Sequence, residues 1–148
     1  MAEFSFDRVG HVVLKVRDLG RSVEWYERVL KMREVGRYQD QMAFLAWGDN
    51  HHDIALMQIG DVPGPVWDEV GMYHFAIRLE GGDDELRAVL DHVKAQGADL
   101  TGMSDHTVSH SIYLKDPDGL EIELYVDTDR AEWEHDPNAV ATIKPLHL

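Results

Sequence analysis

Apolar and polar residues alternate along several short stretches of the chain and switch to helical spacing in two longer ones. Residues 8–16 alternate as a strand. The next segment, Leu19–Leu30, carries an apolar stripe at helical spacing, with Asp18 as its candidate N-cap. Three short strands are predicted to follow, near Arg33–Tyr38 and residues 41–47 and 52–59. The first part of the chain therefore predicts a strand, a helix and three strands.

The same order recurs after residues 60–65, whose glycines and prolines predict a linker. A strand is predicted over residues 72–79, and a helix is predicted to start within residues 81–84 and to stop before Gly97. Three further strands are expected near residues 99–103, 110–115 and 120–126. This repetition indicates a tandem βαβββ duplication within one domain of 148 residues. Module one covers about residues 7–60, module two about 70–126, and a polar C-terminal tail covers 127–148.

The first strands of the two modules align residue by residue. Gly10-His11-Val12-Val13-Leu14-Lys15-Val16 matches Tyr73-His74-Phe75-Ala76-Ile77-Arg78-Leu79. In both, a small apolar residue follows the histidine by two positions and a basic residue by four, all on one strand face. A lone histidine of this kind is more often a satisfied core residue. The pairing of His11 with His74 favours metal ligation instead.

The sequence Asp116-Pro117-Asp118-Gly119 predicts the turn of a β-hairpin. On the exit strand, Glu123 lies on the face opposite Ile122 and Leu124. A solvated outer face would explain this carboxylate, but an inward face would need a partner such as a metal ion. Aligning Ile122-Glu123-Leu124 with Ile54-Ala55-Leu56 places Ala55 where a second carboxylate would stand. One metal ion per chain is therefore expected.

Composition narrows the chemistry. Hydrophobic residues make up 44% of the chain, which is typical of a globular protein, and the net charge of −14 argues against nucleic acid and anionic membranes as partners. No cysteine is present, so a transition-metal site must use His, Asp and Glu. No apolar run reaches transmembrane length and no signal peptide is evident, so a cytoplasmic location is expected.

Two βαβββ modules can pair their sheets into one half-open mixed β-barrel of the α+β class. Duplicated positions would then face one interior. The pattern leaves open whether the barrel closes within one chain or by exchange between two chains. Two imidazoles and one carboxylate on rigid strands match the ligand set of non-haem Fe(II) enzymes, which keep other coordination positions open.

These motifs resemble the vicinal oxygen chelate superfamily, which includes glyoxalase, bleomycin resistance proteins and dioxygenases. The chain most resembles a single-domain type I extradiol dioxygenase of the catechol 2,3-dioxygenase kind. The resemblance implies three metal ligands, His11, His74 and Glu123, and three catalytic residues, His52, His106 and Tyr113. His110 is an alternative to His106. The chain departs from the family pattern at Leu120, where Asn usually follows the turn glycine, and in having one such domain instead of two.

The resemblance implies Fe(II), or alternatively Mn(II), together with O2 and a catechol substrate, as in aromatic hydrocarbon catabolism. His52 would move a proton, and His106 and Tyr113 would donate hydrogen bonds. We expect a homo-oligomer, a dimer or larger. Two alternatives stay open: a Mn(II)-dependent thiol transferase of the fosfomycin-resistance kind, and a metal-free drug-binding module of the bleomycin-resistance kind. Isomerase chemistry of the glyoxalase I kind is disfavoured, because it uses a carboxylate from each module.

Overall fold

The computed structural model describes residues 4–148, which fall into two compact units. The first unit ends at Pro63 and the second covers Gly64–Leu148, so the division lies within the predicted linker. The first unit contains β1 (Val12–Val16), α1 (Leu19–Leu30), β2 (Arg33–Tyr38), β3 (Met42–Ala46) and β4 (Ile54–Gln58). The second contains β5 (His74–Arg78), α2 (Asp83–Ala95), β6 (Asp99–Asp105), β7 (Ser109–Lys115) and β8 (Glu121–Asp127). The predicted α+β class and tandem βαβββ order are confirmed.

Each unit forms its own four-stranded sheet, and the two sheets have equivalent strand orders. The order is β1-β4-β3-β2 in the first unit and β5-β8-β7-β6 in the second. In each, the first strand runs parallel to the last and the other neighbours are antiparallel. Both sheets are open at their edges, so neither is a closed barrel by itself.

The strand registers confirm the alignment of Ala55 with Glu123. Ala55 lies opposite Val13 on β1, and Glu123 lies opposite Ala76 on β5. Val13 and Ala76 each stand two residues after the paired histidines. On the neighbouring antiparallel strand, Ala55 is paired with Phe44, and Glu123 is paired with Tyr113. Because facing residues share one side of a sheet, the first unit presents a methyl group where the second presents a carboxylate.

Strand β1 begins later than predicted. The sequence predicts a strand from residue 8, whereas β1 starts at Val12. Its partner β4 starts at Ile54, and the pairing opens with a hydrogen bond from the Val12 N–H to the Asp53 carbonyl. His11 therefore lies one residue before β1, whereas His74 is the first residue of β5.

Helix α1 has the bounds and the cap that the sequence predicts. The Asp18 carboxylate accepts a hydrogen bond from the Arg21 N–H at 2.8 Å, as an N-cap residue does. The predicted stripe is buried, including Tyr26 at 0% exposure and Val29 at 2%. Packing of this stripe against the sheet of the first unit forms that unit's core.

Helix α2 begins at Asp83 and packs on β7 and β8. The Gly82 N–H donates to the Glu85 carboxylate at 2.8 Å, which satisfies one of the free donors at the helix start. Gly97 ends the helix with a φ of 68°, as predicted. The buried side of α2 meets the apolar face of β8, so the Glu123 side of that strand lies on the opposite face of the sheet.

The β7–β8 hairpin has the predicted turn. Gly119 adopts a φ of 87°, and its N–H donates to the Asp116 carbonyl at 3.0 Å. The alternation is also confirmed, because Ile122, Leu124 and Val126 are buried on one face. The hairpin places Tyr113 directly opposite Glu123 on the other.

The C-terminal tail is anchored to the edge of the second sheet. Asp105 and Lys144 form a two-way backbone bridge, with both N–H···O distances at 2.9 Å. Two short 3-10 turns, Arg130–Glu132 and Ala139–Ala141, shape the tail, and Leu146 is 8% exposed. Among residues 4–148, no helix is both long enough and apolar enough to cross a membrane.

Candidate metal centre and active site

His74 and Glu123 lie side by side on neighbouring parallel strands of the second unit. The His74 Nε2 atom is 3.1 Å from Glu123 Oε2. The His74 Nδ1 atom is buried and has no hydrogen-bond partner among the described residues. An imidazole nitrogen this close to a carboxylate oxygen either donates its own hydrogen to that oxygen or shares a metal ion with it. Both are ordinary ligands of divalent transition metals, so the pair fits two positions of a metal site.

The second Glu123 oxygen is held by the Ser111 hydroxyl and lies near the Tyr113 hydroxyl. The Ser111 hydroxyl donates to Glu123 Oε1 at 2.6 Å, and the Tyr113 hydroxyl oxygen lies 3.2 Å from the same atom. Ser111 is fully buried. A ligating carboxylate is commonly oriented by such hydrogen bonds from outside the coordination shell. Oε2 therefore remains directed at His74.

His106 and Tyr113 form a second hydrogen-bonded pair. His106 Nδ1 is 2.7 Å from the Thr142 carbonyl oxygen, and His106 Nε2 is 2.7 Å from the Tyr113 hydroxyl. A carbonyl can only accept, so Nδ1 carries the hydrogen. In the neutral ring Nε2 then accepts from Tyr113. Burial, reinforced by the Glu123 carboxylate, raises the pKa of Tyr113 to about 12, so the hydroxyl keeps its proton near neutral pH.

One cavity of about 620 Å³ within the second unit is lined by His74, His106, Tyr113 and Glu123. The strands supply one wall and the C-terminal tail supplies another, through Trp133, Asp136, Pro137 and Val140. His110, the alternative to His106, is absent from this lining. Its Nδ1 atom lies 2.6 Å from Asp83 Oδ1 at the start of α2. Of the two candidate histidines, the geometry brings His106 to Tyr113.

The first unit brings three histidines together. The ring centroid of His52 lies 4.3 Å from that of His11 and 5.3 Å from that of Phe44. The Nδ1 atoms of His51 and His52 are 2.6 Å apart. Partial burial, followed by the His11 and His51 imidazoles, lowers the pKa of His52, and Asp53 opposes this shift. His52 is thus neutral near pH 7 and can accept a proton.

The predicted site residues are divided between the two units. His11 and His52 belong to the first, and the second holds His74, His106, Tyr113 and Glu123. Across residues 4–148, no three or more His, Asp or Glu side chains come close enough together to hold a metal ion. The three-ligand set of His11, His74 and Glu123 stays a prediction.

Three features of the site were not predicted: the Ser111 hydroxyl, the Thr142 carbonyl and the Trp133 side chain. Ser111 could have been found, because it stands two residues before Tyr113 on the same strand face. The other two lie in the tail, where the sequence has no periodic pattern.

Comparison with known proteins identifies the class. The chain belongs to the Glyoxalase/Bleomycin resistance protein/Dioxygenase superfamily, whose family model matches residues 8–124. This membership confirms the resemblance inferred from the paired histidines and the hairpin.

Individual relatives carry different activities. The chain is 34% identical over 128 residues to the Catechol-2,3-dioxygenase of Bacillus subtilis, with 86% of this chain and 44% of that protein covered. It is 32% identical over 126 residues to a Probable lactoylglutathione lyase of Vibrio cholerae, with 79% and 88% covered. The crystal structure of a Listeria monocytogenes fosfomycin resistance protein, FosX, in complex with Mn(II) superposes with a TM-score of 0.67 at 19% identity, covering 88% of this chain and 98% of that one. At that identity the likeness shows the fold alone.

Proposed function

We propose that this chain is a non-haem Fe(II)-dependent extradiol dioxygenase, which cleaves a catechol-type ring with O2. One observation carries the proposal: the His106–Tyr113 pair and the His74–Glu123 pair line the same cavity. Two candidate metal ligands thus stand beside a protonated hydroxyl and an oriented imidazole. The 34% identity to a catechol dioxygenase supports the same activity, although the chain spans less than half of that protein.

Three residues would hold the metal ion: His74 and Glu123 from the second unit and His11 from the first. When bound, a metal ion supplies a Lewis acid for the diol oxygens and a binding position for O2. We propose Fe(II), with Mn(II) as the alternative. Since Ala55 has no ligand atom, we propose one ion per chain.

The chain's own groups then position substrate and protons. The Tyr113 hydroxyl stays protonated near neutral pH, so the hydrogen that it directs at His106 Nε2 can turn to an oxygen that gains negative charge during the reaction. The Thr142 carbonyl holds the hydrogen on His106 Nδ1, which leaves Nε2 facing Tyr113. We propose that His52 accepts the proton that the diol loses on binding, because a neutral imidazole can accept and return a proton near pH 7.

Lactoylglutathione lyase is the second candidate, favoured by the 32% identity over most of the Vibrio cholerae protein. Ala55 argues against it. The register places Ala55 at the position equivalent to Glu123, and isomerases of the glyoxalase I kind use a carboxylate at both positions. With a single carboxylate, a bound metal ion would have fewer protein ligands and more room for substrate and O2.

The test is to load the protein with Fe(II) under anaerobic conditions and supply a panel of catechols with O2. We expect oxygen uptake and an absorbing ring-opened product. Glu123→Ala should abolish both, and the matched control His135→Ala, which changes an 88% exposed side chain, should abolish neither. In a parallel assay, the same protein is given the glutathione hemithioacetal that a lactoylglutathione lyase isomerises. Formation of lactoylglutathione there, with no oxygen uptake from any catechol, would replace the dioxygenase by the lyase.

A further inference from the structure

The C-terminal tail forms a fixed wall of the cavity. Its bridge between Lys144 and Asp105 anchors it to β6, and the Thr142 carbonyl is bound to His106. The short turn Arg130–Glu132 carries the chain directly into Trp133, which lines the cavity. Trp133 and the His106–Tyr113 pair therefore line the same cavity.

The Trp133 indole N–H is a buried donor without a hydrogen-bond partner among the described residues. By contrast, the Trp47 indole N–H in the first unit donates to the Leu30 carbonyl at 2.7 Å. The Arg130 guanidinium lies over the Trp133 ring, 5.7 Å from its centroid. Leaving a buried donor unpaired is unfavourable for the folded protein. A ligand that brings an acceptor to this N–H would offset that cost.

The charges around the cavity restrict that acceptor. The lining contains no lysine or arginine among residues 4–148 and includes the carboxylates of Asp127 and Asp136. Asp127 is paired with Arg78 at 3.1 Å, and the Asp136 side chain accepts from the Asn138 N–H. Arg130 contacts the Trp133 ring but does not line the cavity, so among the described residues no lysine or arginine of the lining can receive a carboxylate from the substrate. A neutral acceptor, such as a carbonyl or ether oxygen, fits better than an anionic one.

We propose that Trp133 determines substrate specificity by donating its indole hydrogen to a neutral acceptor on the ring substituent of the catechol, remote from the diol. The same wall disfavours catechols with a carboxylate substituent. This inference rests on the proposed function, because it takes the substrate to be a catechol. It narrows the proposed substrate to catechols whose ring substituent carries a neutral acceptor.

Binding can be measured without turnover, by calorimetry of the metal-loaded protein under anaerobic conditions. Three probes differ only in the ring substituent: an acetyl group, an isopropyl group of similar shape, and a carboxylate. We expect the wild-type protein to bind the acetyl compound about tenfold more tightly than the isopropyl compound, as one hydrogen bond to a buried donor allows. The carboxylate compound should bind most weakly.

Trp133→Phe keeps an aromatic ring and removes the donor. It should lower the affinity for the acetyl compound by about tenfold and change that for the isopropyl compound by less than about twofold. Trp67→Phe, at a 79% exposed tryptophan, is the matched control and should change neither. Asp136→Asn should tighten binding of the carboxylate compound alone. Equal affinities for the acetyl and isopropyl compounds in the wild type, or equal losses in Trp133→Phe, would overturn the inference.

The two proposals fail in different ways. Oxygen uptake with the isopropyl compound, without any effect of Trp133→Phe on acetyl binding, would remove the specificity role and leave the dioxygenase. A selective effect of Trp133→Phe without oxygen uptake would leave the ligand site and remove the dioxygenase. Failure of all three compounds to bind would overturn both.

Discussion

The turn of the β7–β8 hairpin depends on one buried carboxylate. Asp116 is 5% exposed, and its Oδ1 atom accepts hydrogen bonds from the Asp118 and Leu120 N–H groups, each at 2.9 Å. These bonds fix the turn that places Tyr113 opposite Glu123. We predict that Asp116→Ala lowers the free energy of unfolding substantially, because it leaves both N–H groups without this acceptor.

The magnitude follows from the two bonds. A hydrogen bond to a charged group contributes about 1.5–3 kcal/mol. Because the two donors share one oxygen, the pair contributes less than twice that value, or about 2–4 kcal/mol. This is a large fraction of the roughly 5–15 kcal/mol that stabilises a typical domain. Asp116→Asn keeps an oxygen at the same position without its charge and should cost about 1 kcal/mol.

Urea denaturation followed by circular dichroism measures the effect as a shift of the transition midpoint at constant slope. Asp49→Ala, in an exposed loop of the first unit, is the control and should lie within about 0.5 kcal/mol of the wild type. The reasoning fails if Asp116→Ala also stays within that range. It fails equally if Asp116→Asn lowers the free energy of unfolding as much as Asp116→Ala does, because the acceptor oxygen would then not be the stabilising group.

Three further predictions address the site and the second helix. Ser111→Ala should weaken metal binding by about 10–100-fold without unfolding the protein, because it removes a hydrogen bond that orients the ligating carboxylate, and titration with the metal ion checks this. His52→Gln should keep the metal and slow turnover by roughly 10²–10⁴-fold, whereas unchanged turnover together with a slow His51→Gln would move the role by one residue. The Gly82 N–H, followed by the backbone N–H of Glu85 itself, lowers the pKa of Glu85 below 4.5, so its contribution to stability is present above that pH and is lost as the pH falls through the lowered value. Glu85→Gln should therefore lose less stability than the wild type between about pH 7 and about pH 3 in urea denaturation, and an identical loss would refute the assignment.

Local sequence signals predicted most of the fold. Helix α1 has a side-chain cap and an apolar stripe within twelve residues, so its bounds could be predicted without knowledge of the rest of the chain. The hairpin turn is equally local, because Asp116 and Gly119 determine it within four residues. The start of β1 was predicted less well, because it depends on where its partner β4 begins, at Ile54, far away in the chain.

The tail shows what local signals cannot supply. Residues 127–148 have no periodic pattern, so their position depends on contacts with distant elements, such as the Lys144 bridge to Asp105. The choice between His106 and His110 also depends on contacts with distant elements. Both lie near a strand end, and only the fold shows that one meets Tyr113 and the other meets Asp83. The sequence alone could align the first strands of the two modules and offer both histidines as candidates. Tertiary contacts were needed to choose between His106 and His110.

Labelled O2 tests the central claim most directly. The metal-loaded protein is given a catechol with a neutral substituent under isotopically labelled oxygen, and the product is analysed by mass spectrometry. Ring cleavage adds the whole O2 molecule to the substrate, so we predict a ring-opened product that carries both labelled atoms. An unlabelled product, or an intact catechol with no oxygen consumed, would contradict the assignment of this chain as an extradiol dioxygenase.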